Sequence, residues 1–114
     1  MTVQNTEIRD IFNQVADLME IKGENPFRVR AYREAARLVG GMSEQMARLV
    51  ADGEDLTQYR GIGKDLAEKI KEIVDSGKLS FLDILKAEVP ASLLDILAIP
   101  ELGPKKVAAI YHEL

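Results

Sequence analysis

Two short stretches of this chain place glycine, a bulky apolar residue and lysine where together they could hold an anion. The first is Tyr59-Arg60-Gly61-Ile62-Gly63-Lys64-Asp65-Leu66-Ala67. The second is Ile99-Pro100-Glu101-Leu102-Gly103-Pro104-Lys105-Lys106-Val107, about forty residues further on, a spacing usual for structural repeats. Glycines one residue apart let the backbone bend tightly and come close to another surface. A helical pattern opens directly after each bend, so unpaired N–H groups and the positive end of the helix dipole face whatever occupies it. A phosphate group is the natural occupant. Lys64, Lys105 and Lys106 stand at the helix starts, and with Arg60 just before the first bend they can add charge to the same contact. Paired bends of this kind suit gripping a nucleic-acid backbone without reading bases, with affinity that falls as salt rises. The second stretch departs from the first: Glu101 takes the place of the leading glycine. A carboxylate there repels phosphate, and a residue with a Cβ resists the left-handed backbone, so the second bend is expected to be structural or to bind weakly.

Helices must position these bends. Ile8, Ile11, Phe12, Val15, Leu18 and Met19 repeat at three and four, which predicts an amphipathic helix over 6–22 ended by Gly23. Asn25-Pro26 reads as N-cap and first helical residue of the next, stopped at Gly40-Gly41. Ser43 is placed to cap a third helix ending near Gly53, and Asp55 to cap a single turn before the first bend. Residues 63–76 carry Leu66, Ala67, Ile70, Ile73 and Val74 on one face and close at Ser76-Gly77. Helices over about 80–88 and 91–98, parted by Pro90, precede the second bend and a last helix from Pro104. No strand pattern occurs. The fold class expected is all-α, a compact bundle of short helices with two helix-hairpin-helix units. In each unit the residue between or before the glycines, Ile62 or Leu102, plugs the core and pins the two helices.

Composition narrows the chemistry. A hydrophobic share of 46% suffices for a packed core, and with no Trp and few aromatics that core must be largely aliphatic. Cysteine is absent, which excludes thiolate metal sites, disulfides and a cysteine nucleophile. The single histidine, His112, cannot by itself build a histidine metal site or a triad. No apolar run reaches membrane-spanning length, and the acidic start does not read as a signal peptide, so a cytoplasmic protein with no membrane partner is expected. The net charge of −4 argues against nucleic acid, but its distribution argues for a local anion-binding face. Residues 26–37 set Arg28, Arg30, Arg33 and Arg37 against Glu34 alone, and both bends fall in positive stretches with acid concentrated between them. Helical pattern still runs at Leu114, which reads as a piece of a longer polypeptide.

Residues 27–37, Phe-Arg-Val-Arg-Ala-Tyr-Arg-Glu-Ala-Ala-Arg, and residues 61–79, with Gly-Ile-Gly-Lys-Asp-Leu-Ala-Glu-Lys-Ile-Lys and Ser-Gly-Lys-Leu, resemble the N-terminal region of family X DNA polymerases. The resemblance covers nearly the whole chain and extends to bacterial members that carry a PHP phosphoesterase domain. It implies that residues 1–86 form the small lyase-type domain with the first hairpin, and that 87–114 begin the fingers region with the second. It implies a role in base excision repair, as a bacterial, nucleoid-associated monomer that recognises the 5′-phosphate side of gapped or abasic DNA. Arg28 and Tyr32 fall where the family holds the nucleophile and the 5′-phosphate. Lys69 falls at the position of the Schiff-base nucleophile of an AP or 5′-deoxyribose-phosphate lyase, with Glu68 as a proton shuttle. The resemblance further implies a monovalent cation, Na+ or K+, on the backbone carbonyls of Thr57, Tyr59 and Ile62, and in the second hairpin on those of Leu97, Ile99 and Leu102. The divalent metals and carboxylates of polymerisation belong to a palm domain beyond residue 114, so this stretch is not expected to polymerise DNA.

Three departures weaken the lyase expectation. Asp65 and Phe81 stand where the family has lysines, and Phe27 where it has a histidine. Asp65 also precedes Lys69 by one helical turn, an ion-pair spacing that keeps the amine protonated and poorly nucleophilic. Three readings therefore stand side by side: a DNA-backbone binding module, an active lyase through Lys69, and a helical protein-interaction domain of the SAM type.

Overall fold

The computed structural model describes residues 2–89 and 103–113. The expected helix over 91–98 and the front of the second hairpin, with Leu97, Ile99 and Leu102, lie outside the described residues. Every element among the described residues is helical, as the all-α expectation requires.

The first helix, α1 (Asn5–Lys22), opens with a capping box in which the amide of Gln4 donates to Glu7 at 2.8 Å. Its inward face is the expected set, with Ile8, Phe12, Val15, Leu18 and Met19 buried. Gly23 ends it in the left-handed conformation, at φ 78°. Asn25 then caps α2 (Pro26–Gly41), its side chain accepting from the amide of Phe27 at 2.8 Å. Val29, Tyr32, Ala35, Ala36 and Val39 form the buried face of α2. The small Ala35 and Ala36 lie on the buried face of α2, and α1–α2 is the principal packing contact among the described elements.

Ser43 does not cap the third helix, α3 (Met46–Ala51). The N-cap is Gln45, and the amide of Met46 donates to the side-chain carbonyl of Asn5, 2.8 Å away at the start of α1. The Asn5 amide group in turn donates to the carbonyl of Glu44 at 2.7 Å. A residue far away in sequence but adjacent in the fold supplies the cap, and Asn5 is buried at 3% exposure with its polar atoms satisfied.

Asp55 caps the single 3₁₀ turn Leu56–Gln58 as expected, accepting from the Thr57 amide at 2.9 Å. The first hairpin follows and opens α4 (Lys64–Ser76), whose buried residues Leu66, Ala67, Ile70 and Ile73 match the predicted face. Gly77 at φ 76° ends α4. Glu72 of α4 then holds the start of α5 (Ser80–Glu88), accepting from the Ser80 amide at 2.7 Å. Lys22 at the end of α1 pairs with Glu88 at the end of α5. The expected division after residue 86 falls in the last turn of α5. The last described helix, α6 (Pro104–Glu113), packs against α1 and sets Tyr111 against the core and the His112 ring beside Gly23.

Candidate functional site

The first hairpin is held by one plug and one turn. Ile62 is buried at 3% exposure, as expected of the residue between the glycines. Its amide donates to the carbonyl of Tyr59 at 3.0 Å, closing a tight turn over Arg60 and Gly61. Gly61 has φ 99°, a backbone that side chains adopt only with strain. Gly63 is different: at φ −82° and ψ 179° it is ordinary extended backbone, and any residue could adopt it. Both glycines border open space. A Cβ built on either would meet nothing within 4 Å.

Gly63 is the N-cap of α4 and has no side-chain cap. Its carbonyl accepts the Ala67 amide at 2.9 Å, while the amides of Gly63 and Lys64 find no acceptor among the described residues. Exposed glycines, unmet N–H groups and the positive end of a helix dipole therefore converge at one point on the surface.

That point opens into a cleft of about 610 Å³ between the hairpin and α2. Arg60, Gly61, Ile62, Gly63 and Lys64 form its hairpin wall, and Arg28, Ala31 and Tyr32 its α2 wall. The arginine-rich stretch of the sequence thus reaches the bend across space, through Arg28. Thr57 and Tyr59, two of the carbonyl positions proposed by resemblance for a cation, line the same cleft. The Tyr59 carbonyl already accepts the Ile62 amide, and those of Thr57 and Ile62 accept no donor among the described residues. Each of the three therefore keeps at least one lone pair. No cluster of three or more His, Cys, Asp or Glu suited to a metal ion occurs among the described residues.

Lys69 and Glu68 do not line this cleft. Glu68 is exposed and forms no hydrogen bond or ion pair among the described residues. Lys69 lies one turn behind the bend, its side chain only 19% exposed, and pairs with Asp65 at 2.8 Å. Phe81 covers it, with the ammonium 5.3 Å from the ring centroid. Tyr32 completes the setting: it meets Phe12 edge-on at 5.6 Å between centroids and Phe81 at 6.2 Å. Its hydroxyl is buried with no partner of good hydrogen-bond geometry, although it lies near enough to Lys69 to feel its charge. Burial raises the Tyr32 pKa, with Lys69 pulling the other way. For Lys69, burial works to lower the pKa but is outweighed by the Asp65 hydrogen bond and by the Tyr32 and Asp65 oxygens. The net direction is upward, above lysine's usual 10.5. The amine is thus held charged.

The described part of the second hairpin has a different setting. Gly103 is exposed, and a Cβ there would meet nothing within 4 Å. Lys105 faces a separate cleft of about 640 Å³ that it shares with Glu20 of α1, with Glu24 of the α1–α2 turn and with Arg30 and Arg33 of α2. The Lys106 amide donates to the Gly103 carbonyl at 3.0 Å in the first turn of α6.

The sequence named Arg37 only as part of the arginine-rich stretch 26–37; the fold sets it at a second cleft on the far side of Arg60. That placement carried no sequence signal, because only the tertiary packing of α2 beside the hairpin brings it there.

Comparison with known proteins agrees with this geometry. The model of the helix-hairpin-helix domain family matches residues 3–79, which takes in the first hairpin and both walls of its cleft. The chain is 42% identical over 108 residues to the DNA polymerase/3′-5′ exonuclease PolX of Bacillus subtilis (strain 168). That alignment covers 95% of this chain and 18% of the relative, so the chain spans under a fifth of the relative's length. The resemblance to family X polymerases read from residues 27–37 and 61–79 is therefore matched by an individual member, and the chain belongs to the helix-hairpin-helix domain family.

Proposed function

We propose that this chain is a sequence-independent DNA-backbone binding module, the N-terminal part of a family X polymerase that recognises the 5′-phosphate side of gapped or abasic DNA. The observation that carries this reading is the bend at Gly61–Lys64: two exposed glycines, amides without acceptors, a helix N-terminus and Arg28 facing them across one cleft. The relative's name, a DNA polymerase and exonuclease, supports DNA as the ligand. In this reading residues 1–86 form the binding domain and 87–114 open the next region. The module acts as a monomer in repair in the bacterial cytoplasm, and polymerisation resides elsewhere in the parent protein. No helix among the described residues is long and apolar enough to cross a membrane, which fits a DNA partner. A Na+ or K+ ion on the carbonyls of Thr57, Tyr59 and Ile62 would add positive charge beside the bound phosphate.

The lyase reading is the weaker one for this chain. Schiff-base formation needs the neutral amine of Lys69, and the Asp65 pair supports a charged amine instead. A SAM-type interaction domain has no support in either comparison.

Binding to a gapped duplex, measured by fluorescence anisotropy over a salt series, tests the proposal. The logarithm of the affinity should fall linearly with the logarithm of salt concentration, and the affinity should be higher when the gap carries a 5′-phosphate. Affinity indifferent to salt would overturn backbone binding, and affinity indifferent to the 5′-phosphate would overturn gap recognition.

A further inference from the structure

We infer that the first hairpin carries a second phosphate subsite on its far side, formed by Arg60 and Arg37, so that a strand held at the Gly61–Lys64 bend continues over Arg60 onto the exposed face of α2. This inference rests on the DNA-binding reading above and specifies the path of the strand. A cleft of about 570 Å³ is lined by Glu34, Arg37, Leu38, Arg60 and Gly61. Arg60 and Gly61 also line the cleft of the bend, so they form a shared wall between two adjoining recesses. Two neighbouring anion positions divided by a single arginine fit a polyanion better than an isolated phosphate.

The charges support that occupant. Arg60 is exposed and pairs with no carboxylate among the described residues. Among the described residues Arg37 pairs only with Glu34 on its own helix, and the two side chains are 80% and 51% exposed. Exposed pairs of this kind are weak, so the guanidinium can exchange Glu34 for a phosphate, to which its planar fork is well matched. Half-buried Leu38 supplies an apolar floor against which a sugar edge can rest.

The test uses the full chain and a gapped duplex carrying a 5′-phosphate, with Arg37→Ala, Arg60→Ala, Gly63→Ala and, as a charge control, Arg48→Ala. Arg48 is an exposed arginine on α3 that borders neither cleft. Arg37→Ala and Arg60→Ala should each weaken binding several-fold and reduce the salt slope by about one, while Arg48→Ala should leave both nearly unchanged. The subsite is overturned if Arg37→Ala behaves as the wild type while Gly63→Ala weakens binding, an outcome that leaves the hairpin reading intact. It is also overturned if Arg48→Ala costs as much as Arg37→Ala, because the effect is then one of net charge alone. If Gly63→Ala too has no effect, the hairpin reading itself fails and the subsite with it.

Discussion

The two hairpins start from similar sequence and end in different electrostatic surroundings. In the first, Lys64 stands at the mouth of a cleft with Arg28 and Arg60, and Asp65, the acid on its wall, is already engaged with Lys69. In the second, Lys105 opens onto a cleft where Arg30 and Arg33 stand beside two acids, Glu20 and Glu24, and the sequence sets Glu101 where the first hairpin has Gly61. A glycine turn and a helix N-terminus supply oriented N–H groups wherever they occur. Whether an anion binds there depends on which side chains the rest of the fold places around those groups. α2 brings arginine to both clefts, Arg28 to the first and Arg30 and Arg33 to the second, so the difference lies in the acids: Asp65, already paired with Lys69, at the first against Glu20 and Glu24 at the second.

The largest effect should come from Gly61→Val. Gly61 at φ 99° needs a backbone that a β-branched residue strongly resists. Nothing lies within 4 Å of the added Cβ, and the penalty expected is one of backbone strain. Chemical denaturation should report a loss of roughly 1–3 kcal/mol, and DNA binding should fall with the distorted turn. An unchanged midpoint would show that the turn relaxes freely.

Gly63→Ala separates binding from folding. The backbone at 63 is ordinary and uncrowded, so stability should move by no more than about 0.5 kcal/mol. The new methyl group would occupy the space in which a phosphate oxygen must meet the Gly63 and Lys64 amides. Loss of a hydrogen bond to a charged group is worth about 1.5–3 kcal/mol, so affinity for gapped DNA should drop about tenfold or more. The matching change Gly103→Ala should alter affinity far less. Equal losses at the two positions would erase the proposed difference between the hairpins.

The smallest effect concerns Lys69. Its pKa is raised in the fold, so the Asp65–Lys69 pair contributes stability that is fully present below lysine's usual 10.5 and is lost as pH rises through the higher folded value. Stability near neutral pH should therefore be insensitive to this titration. Asp65→Asn removes the carboxylate that holds the amine charged and should shift its titration downward. Borohydride trapping on an abasic 5′-phosphate duplex should give little adduct with the wild type near neutral pH and more with Asp65→Asn. Abundant wild-type adduct that disappears in Lys69→Ala would instead establish the lyase reading.

Local signals in the sequence were enough for most of the helices. The apolar spacing of α1 and α4, the Asn25-Pro26 start of α2 and the Asp55 cap all rest on interactions within a few residues, and each appears where the sequence places it. The start of α3 was misread because its cap comes from Asn5, a partner that no local window contains. The bend at Gly61–Gly63 was legible as a motif, and its openness agrees with that reading. The cover of Phe81 over Lys69 and the approach of Arg37 to Arg60 depend on how α2, α4 and α5 pack, which side-chain spacing does not encode. Asp65–Lys69 is the exception within the site. Its one-turn separation sufficed to anticipate the ion pair seen at 2.8 Å.

The central claim is that main-chain amides at the first bend meet a phosphoryl oxygen. Amide chemical shifts followed by NMR during titration with 5′-phosphorylated gapped DNA test it most directly. Gly63 and Lys64 should show the largest amide proton shifts, downfield as expected for new hydrogen bonds to an anion, with smaller changes at Gly103 and Lys105. If DNA binds while Gly63 and Lys64 stay in place and the perturbed amides cluster on another face, the account is contradicted.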